Sequence, residues 1–164
     1  MSADTMLVPV EPATLPVLEH LGQLYLHDLS DLSGERPDSL GRFDFPRLER
    51  FGAEPDHRAY LIHDGGRIAG FCLMRPYDDG STFLHAFFVL RGLRRTGVGG
   101  RAAARLLALH PGPWSIAYLE DNTEAQHFWP RVAARAVGEA WALTRRTSPD
   151  GSRTFTFVTF DVAR

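Results

Sequence analysis

Residues 94–100, Arg-Arg-Thr-Gly-Val-Gly-Gly, put two guanidinium groups beside a run rich in glycine, a combination suited to a ligand carrying two phosphates. Glycine removes the side chain that would hold a ligand away from the backbone. From there Val98, Ala102, Leu106 and Leu109 recur at spacings of four, four and three, one face of a helix. The first amides of such a helix have no intrahelical acceptor, and its dipole favours negative charge. Upstream, residues 83–90 are almost wholly aromatic and aliphatic, as in a strand buried on both faces. A P-loop does not fit, because it needs Gly-Lys-Ser/Thr and the chain has no lysine. A dinucleotide fingerprint fits poorly, since it follows an early strand and this loop lies past mid-chain. Taken alone, the glycines also fit a tight turn with no ligand. Two further groups could accept a proton: His85, an imidazole that interrupts the apolar strand four residues before Val89, and Glu120. Their plain alternatives are a buried neutral histidine and a solvated carboxylate.

The elements that would position these residues follow from pattern. Residues 6–10 form a short apolar strand, and prolines at 12 and 16 suit entry to a helix on which Val17, Leu18, Leu21, Leu24, Tyr25 and Leu29 share a stripe. His20, His27, Asp28 and Asp31 surround its later turns without a recognised ligand spacing, so no metal is assigned. Residues 32–46 read as loop, and residues 48–51 close a short helix. Residues 59–63 and 67–75 flank Asp64-Gly65-Gly66, a strand, tight turn, strand pattern. A second turn at 76–81 leads into the 83–90 strand, completing three antiparallel strands. After the glycine-started helix, His110-Pro111-Gly112-Pro113 stops it and residues 114–119 form another apolar strand. That strand is reached through a whole helix, so it lies parallel to the 83–90 strand. Thr123 and Gln126 form a capping box that starts the next helix, which carries Pro130 in its interior. Residues 136–143 and 154–162 read as two closing strands around a polar turn.

Two motifs in this order resemble the GNAT superfamily of acyl-CoA-dependent N-acetyltransferases. Arg94-Arg95-Thr96-Gly97-Val98-Gly99 matches the Arg/Gln-x-x-Gly-x-Gly/Ala signature of that family, and it follows a meander of three strands, as it does there. Asn122, Ala125 and the Phe128-Trp129 pair match the Asn-x-x-Ala-x-x-aromatic-aromatic pattern that the family carries after its fifth strand. The resemblance covers most of the chain beyond residue 58. It implies one GNAT-like domain over residues 1–164, an α+β fold with a mixed, mostly antiparallel sheet of about seven strands flanked by helices.

The same resemblance implies a site. The backbone of Phe87, Phe88 and Val89 would hold the pantetheine arm of acetyl-CoA and polarise the acetyl carbonyl. Arg94, Arg95, Thr96, Gly97, Val98, Gly99 and Gly100 would receive the diphosphate, and Asn122 would contact the pantetheine, its alternative being a simple turn residue. Trp129 stands where many members have a thiolate-protonating tyrosine, and indole cannot take that role, so it would shape the thiolate end by packing. Tyr118 is a weak substitute for that acid. His85 and Glu120 are the candidate bases for the acceptor amine. Strand alternation would put Phe83, His85, Phe87 and Val89 on one face, with His85 about 13 Å behind Val89 at ~3.3 Å per residue.

Composition narrows the classes. With 44% hydrophobic residues and a net charge of -2, the chain can build a real core and lacks the positive surface of a nucleic-acid binder. A lone cysteine, Cys72, excludes an intrachain disulfide framework and predicts a reducing compartment, and no apolar run or signal peptide predicts a membrane or secreted location. The chain is expected to be cytoplasmic. Three readings follow: an N-acetyltransferase using acetyl-CoA as cosubstrate and a small-molecule or peptide amine as acceptor, a non-catalytic acyl-CoA-binding module, and an interaction protein that keeps the fold without the cofactor. Edge strands of the closing hairpin could pair two copies into a homodimer.

Overall fold

Gly65 and Gly66 take φ of 56° and 77°, the left-handed conformation a two-residue hairpin demands and side chains resist. They join β2 (Arg58–Asp64) antiparallel to β3 (Arg67–Pro76). Around this hairpin the computed structural model, which describes residues 4–164, builds one seven-stranded sheet. The remaining strands are β1 (Thr5–Pro9), β4 (Thr82–Val89), β5 (Gly112–Leu119), β6 (Trp141–Thr147) and β7 (Thr154–Val162), in the order β1-β2-β3-β4-β5-β7-β6. Among the described strands only β4 and β5 pair in parallel, with helix α2 (Val98–Leu109) between them in sequence. The expected mixed, mostly antiparallel α+β sheet is what forms.

Helices cover both faces. On one, α1 (Leu15–Ser33) lays Leu18 and Leu21 with Phe51 over Leu61, Phe71, Leu73, Ala86 and Phe88. On the other, α2 and α3 (Thr123–Val137) lay Leu106, Leu107, Trp129, Val132 and Ala133 over Cys72, Leu84, Trp114, Ile116, Tyr118, Val158 and Phe160. Burying apolar area at ~25 cal/mol per Å² on two faces supplies the main drive to fold.

Several expectations need correction. Leu24 and Leu109, placed on apolar helix stripes, are 50% and 56% exposed; on α2 the buried row is Val98, Ala102, Ala103, Leu106 and Leu107 instead. α1 runs through Ser33, into the expected loop, and stops at Gly34 with φ 71°. Residues 136–137 end α3 rather than begin a strand, because Val137 still packs on the core, and β6 starts only at Trp141. The cap of α3 is Asn122, not Thr123: its backbone is non-helical and its Oδ1 accepts from Ala125 N at 3.1 Å. Gln126 turns back instead to the carbonyl of Glu120.

Candidate active site

The site originates where β4 and β5 part. They pair only at Thr82↔Trp114, Phe83↔Ser115 and Leu84↔Ile116. Beyond, β4 continues to Val89 and β5 to Leu119 with no ladder between them. One cause lies on the other side of β4. Leu73 pairs with Ala86 and Met74 with Leu84, so His85 is the extra residue of a bulge. Bulges bend a strand and sharpen its twist. The wedge leaves the β5-facing backbone groups of β4 without a strand partner, while β3 pairs the other edge, and such groups require a partner from elsewhere.

The bulge also overturns the predicted alternation. Phe87 meets Trp129 and Phe128 of α3 at ring distances of 5.1 and 5.8 Å, and Val89 packs with Val98 and Ala102 of α2. His85 turns to the opposite face, 4.9 Å from the Phe51 ring and 6.3 Å from Phe45. Nor is the strand buried on both faces, since Phe83, His85 and Phe87 are each only partly covered.

At the open end of the wedge, residues 91–93 form one 3-10 turn and lead into α2. Arg95 and Gly97 adopt φ of 63° and 92°. Among the described residues, the backbone amides of 95–100 have no acceptor in the protein, and the first intrahelical bond is Arg101 N to Gly97 O at 3.0 Å. Six consecutive free amides at a helix start form a cradle for an anion. The absent side chains matter here. A Cβ on Gly99 would lie 3.4 Å from the Phe128 ring and 3.7 Å from Val89, and one on Gly100 would lie 3.6 Å from the Arg135 guanidinium.

Arg94 behaves differently from its expected part. Its own amide is bonded to Arg91 O at 3.2 Å, and its guanidinium holds Val89 O at 2.9 Å, pairs with Asp28 of α1 and approaches Glu124 of α3 at 3.7 Å. It ties α1, β4 and α3 together at the mouth of the wedge. Arg91 adds a second bond to Asp28 at 2.8 Å. Burial raises the Asp28 pKa, but the hydrogen bonds from Arg91 and Arg94 outweigh it and hold the carboxyl below its usual value. Sequence spacing gave no signal for Asp28, which reads there as a solvated helix residue. Thr96 spends its hydroxyl on Leu93 O at 2.5 Å.

Trp129 is buried, 4.7 Å from Phe128 and edge-on to Phe87, so an aromatic trio walls the α3 side of the wedge. Tyr118, in the end of β5 that pairs with β7 but not with β4, is 7% exposed, and burial raises its pKa. It makes no side-chain hydrogen bond, yet no buried side-chain oxygen lacks a partner among the described residues, so the hydroxyl is the part that meets solvent.

The two candidate bases are not brought together. Glu120 pairs with Arg145, and its carbonyl takes Gln126 of α3, whereas His85 lies among Phe45 and Phe51 beneath α1. Arg75 Nε donates to His85 Nδ1 at 3.3 Å. Arginine only donates, so Nδ1 carries no proton and the neutral ring holds its hydrogen on Nε2. Burial, then the charges of Arg75, His57 and Arg47, push the His85 pKa down to about 4, well below the ordinary value the sequence suggests. Metal-ligand side chains converge at Glu54, Asp56 and His57. Arg50 already binds Glu54 through two bonds of 2.7 and 2.8 Å there, which supplies the cluster with a cation.

The wedge, the amide cradle and their order along the chain define an acyl-CoA-binding transferase fold. The chain belongs to the Acetyltransferase (GNAT) family, whose model matches residues 21–133. It is therefore an acetyltransferase using acetyl-CoA. No curated protein matches it by sequence. Among solved structures, an acetyltransferase from Thermus thermophilus superposes with a TM-score of 0.68 at 18% identity, covering 99% of this chain and 100% of that one. A histone acetyltransferase HPA2 and related acetyltransferase from Corynebacterium glutamicum gives 0.69 at 14%, covering 100% and 98%. A putative streptothricin acetyltransferase from Bacillus anthracis, solved in complex with acetyl coenzyme A, gives 0.63 at 12%, covering 98% and 99%. At such identities the likeness shows the fold.

Proposed function

We propose that this chain transfers the acetyl group of acetyl-CoA directly to a primary amine at the wedge between β4 and β5. The observation that carries the reading is the run of six unpartnered amides at residues 95–100, placed at the mouth of that wedge. Acetyl-CoA supplies an activated acyl group and a thiol leaving group. The cradle holds the diphosphate, with Arg95 adding charge and Gly97, Val98, Gly99 and Gly100 adding amides. The β5-facing backbone of Phe87, Phe88 and Val89, a segment that is paired with β3 on its other side and has Val89 O held by Arg94, takes the pantetheine, and Asn122 fixes the start of α3 beside it. Arg94 acts through Val89 and Asp28, as a positioning residue.

Proton transfer follows from what the side chains have free. The amine must lose a proton and the thiolate gain one. His85 offers no lone pair while Arg75 occupies Nδ1, and Glu120 is ion-paired with Arg145. On this reading solvent takes the amine proton, and the Tyr118 hydroxyl, whose pKa burial raises, returns one to sulfur. A free-thiol release assay across amines, amino acids, polyamines, aminoglycosides and N-terminal peptides tests the reading. Tight acetyl-CoA binding with no thiol release from any acceptor replaces it with the non-catalytic module, which the tryptophan at 129 favours.

Two variants separate packing from chemistry. Trp129→Phe keeps kcat within about threefold, because a ring remains against Phe87 and Phe128; a loss of tenfold or more, ~1.4 kcal/mol, at unchanged acetyl-CoA affinity makes the indole a participant. His85→Gln leaves the pH profile of turnover unaltered near neutrality. It changes stability in acid instead. A histidine at about 4 when folded and ~6.5 when unfolded binds more protons unfolded, so stability falls as pH drops from 6.5 toward 4. Glutamine removes that loss, so the fall in melting temperature over this window is smaller in the variant.

The buried, unpaired thiol of Cys72, whose pKa is raised by burial, supports a reducing, cytoplasmic setting. Among the described residues no helix is long and apolar enough to cross a membrane. The free edge of β6 at the end of the sheet supports pairing of two copies there.

A further inference from the structure

Resting on the acyl-transfer reading, we propose that the acceptor is an amine that also carries a carboxylate on an apolar or aromatic frame, as an amino acid does, and that Arg75 and Arg146 select it. The observation is a shelf of rings on the α1 face, across the vertex where β4 and β5 part. Tyr77 stacks on Phe83 of β4 at 4.8 Å and on Phe157 of β7 at 6.3 Å. Phe83 and Phe157 flank β5 in the sheet, because Phe83 pairs with Ser115 and Phe157 with Ala117. Tyr77 lies over both, so the shelf spans the closed end of the wedge, beside His85.

A guanidinium caps each end. Arg75 lies 4.6 Å from the Phe83 ring centre and 5.9 Å from that of Tyr77, and Arg146 lies 4.4 Å from that of Phe157. Arg146 also reaches the Tyr77 hydroxyl at 3.4 Å, so both cations converge on Tyr77. Neither has a carboxylate within salt-bridge distance among the described residues, whereas Arg50, Arg91, Arg94, Arg101, Arg105 and Arg145 all do. The acid that feels Arg146, Asp79, is not within salt-bridge distance of it, and its Oδ1 accepts from the amide and hydroxyl of Ser81 at 2.9 and 2.6 Å. A guanidinium stacked on a ring keeps its edge donors available, the geometry that binds a carboxylate with two bonds. Arg75 uses two of its five donors, on His85 and Pro76 O.

Charge then decides among acceptor classes. A polyamine or aminoglycoside would bring several cations to a surface already holding Arg75 and Arg146, neither of which has a carboxylate within salt-bridge distance among the described residues. A carboxylate gains two partners and its apolar frame gains the rings. His85 fits this arrangement as a positioning residue, since its Nδ1 fixes Arg75.

The test separates this inference from the reading beneath it. Calorimetry with N-acetyl-L-phenylalanine, its methyl ester and spermidine is run on the CoA-bound protein, and thiol release is measured with L-phenylalanine, phenethylamine and spermidine. The acid binds at least tenfold more tightly than its ester, and Arg75→Gln and Arg146→Gln each weaken the acid by about tenfold, the cost of a charge-assisted bond, while acetyl-CoA affinity reports that the variants are folded. Equal binding of acid and ester, tighter binding of spermidine, or variants that leave the acid's affinity unmoved overturns the inference. Acid binding lost in the variants with no thiol release from any amine upholds the carboxylate site and overturns the acyl transfer.

Discussion

Gly99→Glu abolishes acetyl-CoA binding in calorimetry while the protein remains folded. The second position of α2 tolerates a Cβ at modest cost, for the contacts at 3.4 Å with Phe128 and 3.7 Å with Val89 are tight but movable. Gly99→Ala therefore binds with a small loss. A glutamate adds a charge at the cradle itself. Its carboxylate lies beside the free amides of residues 95–100 and satisfies some of them, and an acidic residue in the first turn of a helix is favoured by the dipole. The substitution thus holds or raises the melting temperature while it repels the diphosphate and occupies its donors. The expected loss is about 100-fold or more, ~2.7 kcal/mol. An affinity unchanged in the folded variant places the diphosphate elsewhere and removes the basis of the cofactor site.

The features of that candidate site were legible because they are local. Free amides at a helix start, glycines in the first turn and a strand feeding them all lie within residues 87–100, and short-range pattern is what a sequence displays most openly. The same holds for the hairpin at Gly65-Gly66, which the structure forms with the expected strands. Where a side chain's position depends on another part of the chain, pattern was silent or misleading. Asp28 reads as one polar residue among several on α1, yet it holds Arg91 and Arg94 from 63 and 66 residues away. Arg94 consequently holds the protein's own carbonyl and carboxylate.

His85 shows the limit from another direction. Period-two alternation is a property of a regular strand, and nothing in residues 83–90 announces the extra residue against β3. One inserted position moves an imidazole from the α3 side of the sheet to the α1 side. There it meets Phe45 and Phe51 from a segment read only as loop and short helix, and Arg75 from the preceding strand. Its depressed pKa is set by burial and by charges distant in sequence, so the ordinary value near ~6.5 was the only one available before the fold. The aromatic shelf under Arg75 and Arg146 likewise joins β4, β7 and a turn, and no motif spans such a set.

Gly70→Ala has the largest expected effect on stability, and it reaches the site through the backbone. Gly70 lies in β3 opposite Val89, where a Cβ would stand 1.8 Å from the carbonyl oxygen of Phe88 and 2.8 Å from its carbon. No rotamer relieves that contact, because the obstacle is main chain. β3 already departs from regular pairing beside it: Ile62 pairs with Gly70 and His63 with Ile68, so Ala69 is an extra residue whose carbonyl takes Leu90 N at 2.8 Å. The two strands approach closely at the point where β4 leaves the sheet. Alanine must push β4 outward, breaking the bonds around Val89 and Leu90, and the cost is ~3 kcal/mol, the upper end for overpacking. For a chain of this length that lowers the melting temperature by about 6–12 °C. Because Val89 O is also the carbonyl that Arg94 holds at 2.9 Å, the displacement disturbs the mouth of the wedge, and acetyl-CoA affinity falls with stability in the fraction that remains folded. A melting temperature within a degree of the parent protein shows that β3 and β4 separate freely at this point, and the account of the wedge as a rigid, bulge-defined cleft then fails.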